Sequence, residues 1–195
     1  YVPIVAIISR FYFNNRLNWI IWISVLLCIY GTYLLSVNQS LEVQQSDMLV
    51  LFAALFFAIH IILIDVFLKN FKSPFSFAFL QYTIVFFCSL IVALFAENPT
   101  FSNIKLEWFE IIYTGALSTG VGYTLQILGQ GRASPAPAAI ILSMESVFAT
   151  LAGWIILNQF LDTYKIIGCC CIFAGVILVQ LFPLYSKNYS QIISK

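Results

Sequence analysis

Glu145 is the acidic residue placed deepest within the long apolar runs of this sequence. It lies ten residues after Pro135, in a run that ends at Leu157. At a helical rise of about 1.5 Å per residue, this is roughly 15 Å into the run, near the middle of a bilayer's hydrocarbon core. An ionised side chain there costs about 2.5–3.5 kcal/mol, so we expect Glu145 to face protein or water rather than lipid. It would either line or gate a path, or anchor two helices by a hydrogen bond.

Other polar side chains within the apolar runs are candidates for a cavity wall because each can hydrogen-bond a polar ligand. His60 is the single histidine, and the alternative for it is a core imidazole bonded to a backbone carbonyl. Gln81 and Gln126 could instead bond to each other or to a neighbouring helix. The complete set of cavity candidates is Glu145, Gln126, Tyr123, Gln81, His60, Ser143 and Thr119. Asp65, four residues before Lys69, is expected to form an anchoring ion pair with it.

No grouping typical of an enzyme or a metal site is found in the sequence. It has no Ser/His/acid set, no HExxH motif and no glycine-rich phosphate loop. The run Cys169, Cys170, Cys171 points in three directions around a helix, and the five cysteines are interpreted as packing residues. We therefore expect no catalytic residue, metal or cofactor.

The elements that carry these residues are predicted to be transmembrane helices. Of the 195 residues, 62% are hydrophobic and 9% charged, and the mean hydropathy is +0.97. Continuous apolar runs of about 20 residues favour α-helices over a β-barrel. Six full spans are predicted: Leu17–Val37, Met48–Leu68, Phe75–Ala96, Phe109–Gly129, Pro135–Leu157 and Tyr164–Leu184. A shorter apolar segment, Tyr1–Phe13, precedes them and is interpreted as the end of a truncated helix. The fold class is an all-α multi-pass bundle in a lipid bilayer, and the net charge of +1 argues against nucleic acid.

Basic residues are distributed unequally between the two sides of the predicted bundle. If the loops alternate, seven share one side, namely Arg10, Arg16, Lys69, Lys72, Arg132, Lys187 and Lys195, while Lys105 and Lys165 lie on the other. Because basic loops stay inside, the C-terminus is predicted to be cytoplasmic, in the cell membrane.

Small residues form stripes on several predicted helices, which lets helices approach closely. The packing candidates are Gly115, Gly122, Gly153, Gly168 and Gly175. The stripe through Gly168 and Gly175 could also serve a second copy of the chain, so a homodimer is an open alternative. The alternative for the stripe through Gly115, Thr119 and Gly122 is a cavity wall.

A weak internal repeat relates the start and end of the sequence. A shift of 144 positions aligns Asn14, Leu17, Gly31 and Leu34 with Asn158, Leu161, Gly175 and Leu178. Five membrane crossings, an odd number, lead from the turn of the first copy to the turn of the second, so the second copy is inverted relative to the first. Inverted repeats are typical of secondary transporters.

The segment Ser134–Thr150, with the sequence SPAPAAIILSMESVFAT, and the later Gly168 and Gly175 resemble the EamA-type drug/metabolite transporter superfamily. The resemblance implies inverted five-helix repeats, with residues 1–37 ending the first, 38–47 an external linker, 48–184 the second repeat and 185–195 a cytoplasmic tail. It also implies a secondary transporter that exports or exchanges small metabolites or drugs by alternating access, without ATP. The alternative is a multi-pass subunit that binds partners and does not transport.

Overall fold

The structure, a computed structural model, describes residues 1–12, 17–36, 45–96 and 101–193, and this part of the chain is helical without strands. Arg16, Lys195 and most of the predicted linker 38–47 lie outside the described residues. The α-helices in order are α1 Val2–Tyr12, α2 Trp19–Ser36, α3 Gln45–Phe71, α4 Pro74–Ala96, α5 Phe101–Leu106, α6 Trp108–Ile112, α7 Thr124–Gln130, α8 Pro135–Leu142, α9 Met144–Leu157 and α10 Thr163–Ile193. The polar segment after Tyr185 is thus helical almost to its end.

Five stretches within the described residues are long and apolar enough to cross a membrane. They are Trp19–Ser36, Met48–Phe71, Pro74–Ala96, Pro135–Leu157 and Thr163–Leu181. At about 1.5 Å per residue, 18 to 24 residues match a hydrocarbon core of about 30 Å. The predicted all-α multi-pass fold is confirmed, and these five correspond to five of the six predicted spans.

The sixth predicted span, Phe109–Gly129, is helical but is not a uniform α-helix. A π-helix, Tyr113–Tyr123, separates α6 from α7. It contains Gly115, Gly120 and Gly122, and glycine stabilises an α-helix by about 1 kcal/mol less than alanine does. The sequence predicted a helical span here, and hydropathy reports its length and polarity but not the hydrogen-bond register.

The chain divides into two compact units, and the first comprises Tyr1–Ile62 and Ser134–Lys195. Its core includes Cys28 on α2, Ile140 on α8 and Ile172 on α10, each fully or almost fully buried. Helices α2 and α10 approach each other closely, so that an added Cβ on Gly31 would lie 2.7 Å from the Gly168 carbonyl oxygen. A Cβ on Gly168 would lie 2.7 Å from the Gly31 oxygen in return.

The helices α2 and α10 are antiparallel. Gly168 faces Gly31 and Leu34. Gly175, about two turns later in α10, faces Ser24 and Leu27, which lie earlier in α2. Two membrane helices run antiparallel when an even number of membrane crossings lies between them. Four crossings lie between α2 and α10 if Trp108–Gln130 is counted as one of them. The Gly168/Gly175 stripe is therefore occupied by α2 of the same chain.

The second unit is Leu63–Ala133. The predicted ion pair is present in it, with Lys69 Nζ 2.7 Å from Asp65 Oδ2. Ile64, Ala78 and Ile127 form its buried apolar cluster. These contacts join α3, α4 and α7 within the unit.

Candidate functional site

The span Pro135–Leu157 is interrupted at Ser143, between α8 and α9. The Ser143 N–H donates to the carbonyls of Ala139 and Ile140 at 3.1 and 3.2 Å, and the Ser146 N–H donates to the Ser143 carbonyl at 3.1 Å. The Ser143 hydroxyl donates to the Ile140 carbonyl at 2.5 Å. Bonds spanning three residues tighten the helix locally, and such a stretch within a helix often marks a functional hinge. The interruption lies eight residues after Pro135, which is roughly 12 Å along the helix axis.

A cleft of about 410 Å³ lies beside this interruption, within the first unit. Residues of α1, α2, α8–α9 and the Ser143 junction border it, and no lysine, arginine, histidine or acid is among the lining side chains. The polar lining consists of Tyr1, Cys28, Thr32, Tyr33, Ser36, Ser143 and Ser146, and the apolar lining of Val2, Pro3 and Ile29. The cleft is therefore neutral and hydroxyl-rich at its walls.

Three of the six hydroxyls that line the cleft, those of Thr32, Ser36 and Ser143, are bonded back to their own helix. Thr32 Oγ1 donates to the Cys28 carbonyl at 2.7 Å, and Ser36 Oγ donates to the Thr32 carbonyl at 3.1 Å. A serine or threonine hydroxyl has one hydrogen and two acceptor lone pairs. Because the hydrogen is used within the helix, each such oxygen retains acceptor capacity toward the cleft.

The interrupted helix is linked to α2 through the cleft wall. Cys28 Sγ lies 3.4 Å from Ser143 Oγ, and both side chains are buried. Sulfur is a weak hydrogen-bond partner, so this contact positions the helices more than it stabilises them. Ser143, predicted from sequence as a cavity residue, thus lies at the wall of the cleft.

Glu145 begins the first turn of α9 and is exposed in the described structure. Ala149 and Ala152, one and two turns later on the same side, are also exposed. The carboxylate lies within electrostatic range of the Tyr1 phenol, which lines the cleft, and it forms no ion pair with any described residue. Glu145 is not among the residues that line the cleft, and we refer to its exposed position near the lining residue Tyr1 as the rim.

His60 is half-buried and lies in the first unit. Its ring centroid is 6.0 Å from that of Phe57, and the Phe57 ring is 4.9 Å from that of Tyr1. An aromatic row therefore connects His60 to the residue at the cleft edge.

The remaining polar candidates lie in the second unit. Gln81 and Tyr123 are half-buried, and the Gln126 amide nitrogen is buried without a hydrogen-bond partner among the described residues. Thr119 contributes its carbonyl, which accepts a hydrogen bond from the Tyr82 hydroxyl at 3.1 Å. All four of these residues belong to the unit Leu63–Ala133.

Tyr82 was not singled out in the sequence, yet it bonds to the π-helix at several points. Its hydroxyl lies 3.2 Å from the Gly120 carbonyl and 2.8 Å from Thr124 Oγ1, in addition to its bond with Thr119. It thus bridges α4 to the segment where the α-helical register changes.

The packing glycines differ in their surroundings. Gly168 and Gly175 face α2, and a Cβ on Gly153 would lie 2.8 Å from Gln159 Oε1. A Cβ on Gly115 would meet no atom within 4 Å, and one on Gly122 would meet only the Leu117 carbonyl, at 3.8 Å. The stripe through Gly115 and Gly122 is exposed in the described part of the chain.

Sequence reasoning also missed Cys28, Thr32 and Ser36 as wall residues. Their spacing of four residues places them on one face of α2, which is a readable signal. It was overlooked because single hydroxyl residues are common within membrane helices.

A second, smaller cleft of about 340 Å³ lies where α9 turns into α10. Asn158 ends α9 with φ of 50°, and the Gln159 N–H donates to the Gly153 carbonyl at 3.1 Å. Thr150, Trp154, Gln159 and Lys165 contribute to the lining. The Lys165 ammonium donates to the Phe160 carbonyl at 3.3 Å, so it closes this turn.

Comparison with known proteins gives consistent matches. The EamA-like transporter family matches residues 44–181. An uncharacterized transporter of Archaeoglobus fulgidus is 31% identical over 181 residues, which cover 93% of this chain and 58% of that protein. An uncharacterized transporter of Bacillus subtilis is 26% identical over 181 residues, covering 90% of this chain and 57% of that protein. The chain thus spans less than three fifths of these curated relatives' length, and no solved structure matches.

Proposed function

Because the chain belongs to the EamA-like transporter family, of the drug/metabolite transporter superfamily, we propose that the full-length protein is a secondary transporter. It exports or exchanges small metabolites or drugs across the cytoplasmic membrane by alternating access. The chain is a multi-pass membrane protein, so the bilayer surrounds it. As a transporter of this kind, it would bind a small-molecule ligand.

The observation that carries this proposal is the cleft at the Ser143 interruption. Secondary transporters bind their substrates near mid-membrane, where broken helices expose backbone and polar groups. Ser143 and Ser146 from the interrupted helix face Thr32 and Ser36 of α2 across one cleft. A change in the α8–α9 junction would alter the shape of this cleft, which is the kind of motion that alternating access needs.

The domain organisation belongs to the same proposal. Residues 1–37 would complete one repeat and residues 48–184 would form its inverted copy, with 38–47 outside the cell and 185–195 in the cytoplasm. The antiparallel contact between α2 and α10 supports the inversion, because equivalent final helices of inverted repeats must run in opposite directions. The basic bias supports a cytoplasmic C-terminus.

The proposal assigns no chemical step to the protein, and its residues would bind and release an unchanged ligand. Glu145 at the rim would gate access or carry charge during the cycle. Gln81, Thr119, Tyr123 and Gln126, in the second unit, are proposed as further residues that contact ligand.

Accessibility during transport tests the proposal directly. In full-length protein with the native cysteines replaced, Thr32→Cys in the cleft should react with a small water-soluble thiol reagent. Leu26→Cys, at an exposed apolar position of the same helix, is the matched control and should react slowly because lipid covers it.

The same protein in proteoliposomes should exchange components of a metabolite extract, detected by mass spectrometry. No exchange of any component, in folded protein, would leave the alternative of a non-transporting, partner-binding membrane subunit. Equal reactivity at Thr32 and Leu26 would remove the cleft from the path.

A further inference from the structure

The hydroxyl groups that line the Ser143 cleft determine which hydrogen bonds a ligand can make there. Thr32, Ser36 and Ser143 each donate their hydroxyl hydrogen to a backbone carbonyl of their own helix. These three oxygens therefore present lone pairs to anything that enters, while Tyr1, Tyr33 and Ser146 add three further hydroxyls to the lining. The part of the wall formed by Thr32, Ser36 and Ser143 favours a ligand that donates hydrogen bonds.

The charges around the cleft point to the same ligand class. Among the described residues, no lysine, arginine or histidine side chain lines it, so these residues offer an anion no basic side chain in return for its lost hydration. Glu145 adds an exposed acidic side chain within electrostatic range of Tyr1. Tyr1 and Tyr33 add aromatic faces, which attract cations.

The rest of the lining is apolar. Val2, Pro3 and Ile29 share the wall with the two tyrosines, and the volume of about 410 Å³ accommodates an aromatic or branched aliphatic group. A ligand that satisfies every wall has a donor-rich charged end and an apolar body.

We propose that the cleft binds protonated amines carrying an apolar or aromatic body, with the ammonium hydrogens donated to the hydroxyl oxygens of α2 and the α8–α9 junction. This deepens the proposed function and rests on it for the role of the cleft in transport. Glu145 favours entry of the cation from the rim.

A pair of probes that share one body isolates the charge. 2-Phenylethylamine and 3-phenylpropionate have the same ring and a two-carbon linker but opposite charge at neutral pH. Full-length protein in detergent should show a higher melting temperature with millimolar amine and an unchanged one with the carboxylate, because a ligand stabilises the state it binds. This readout does not require transport.

Variants locate the site. Thr32→Val keeps the shape of the side chain but removes the oxygen, and should weaken amine affinity about tenfold. Thr32→Ser should retain it. Thr83→Val on α4 removes a hydroxyl bonded in the same way, to the Phe79 carbonyl at 2.8 Å, outside the cleft, and should change nothing. Glu145→Gln should weaken binding about two- to fivefold, as expected for an exposed charge.

The outcomes separate this inference from the proposed function. Equal shifts with amine and carboxylate, or amine binding that survives Thr32→Val, would overturn the inference even if the protein transports other compounds. Selective amine binding lost in Thr32→Val, without flux in proteoliposomes, would support the inference and count against transport.

Discussion

The contact between α2 and α10 makes a quantitative prediction for Gly31→Ala. The new Cβ would lie 2.7 Å from the Gly168 carbonyl oxygen and 2.7 Å from Ile172 Cγ1. Comfortable contact requires about 3.5 Å, so α2 and α10 must separate by several tenths of an ångström. The Gly168 oxygen belongs to a helix backbone and cannot rotate away.

Two effects of opposite sign set the magnitude. Overpacking a well-packed contact costs about 1–3 kcal/mol, whereas alanine gains about 1 kcal/mol over glycine in helix propensity. We expect a net loss of up to about 2 kcal/mol for Gly31→Ala and a similar loss for the reciprocal Gly168→Ala. Gly175→Ala should lose less, because its Cβ would lie 3.1 Å from the Ser24 oxygen.

Thermal unfolding of the full-length protein in one detergent measures this ranking. Gly129→Ala on α7 is the control, since its Cβ would meet no atom within 4 Å, and it should be neutral or stabilising by up to about 1 kcal/mol. Gly31→Ala and Gly168→Ala proteins as stable as Gly129→Ala would refute the close approach of the two helices.

Three further predictions follow from individual residues. Tyr82→Phe should destabilise the protein by about 1–3 kcal/mol in thermal unfolding, because Thr119, Gly120 and Thr124 lose a shared partner. The control Tyr30→Phe, at an exposed position, should not destabilise it, and equal effects of the two substitutions would contradict the bridging role of the Tyr82 hydroxyl. Glu145→Ala should stay within about 0.5 kcal/mol of wild type in the same assay, since the side chain is exposed; a large loss would instead identify an interhelical anchor. A reporter fused after Lys195 should read as cytoplasmic and one inserted in 38–47 as external, and the reverse pattern would refute the predicted orientation.

The sequence predicted the spans well because hydropathy over about 20 residues depends on composition alone. Asp65 and Lys69 were also predictable, since a spacing of four residues places two side chains together on any helix. Both predictions use only the local sequence, so they do not depend on how the rest of the chain packs.

The interruption at Ser143 and the π-helix could not be predicted in the same way. Ser143 lies in a continuous apolar run, and a serine carries only a small helix penalty. Its hydroxyl bond to Ile140 and its contact with Cys28, 115 positions earlier in the chain, exist only after the helices pack. The membrane depth of Glu145 stays a prediction from its position, whereas its place near Tyr1 depends on how the helices of the first unit pack.

The two tasks of α2 explain why its polar and small residues interleave. Gly31 and Thr32 are neighbours, and adjacent helical positions point about 100° apart. Gly31 therefore meets α10 while Thr32 faces the cleft. Cys28 belongs to both surfaces, since it is buried in the core and touches Ser143. A helix held this closely by α10 keeps its row of hydroxyl oxygens in a fixed place, so movement at the Ser143 junction, rather than of α2, would change the width of the cleft.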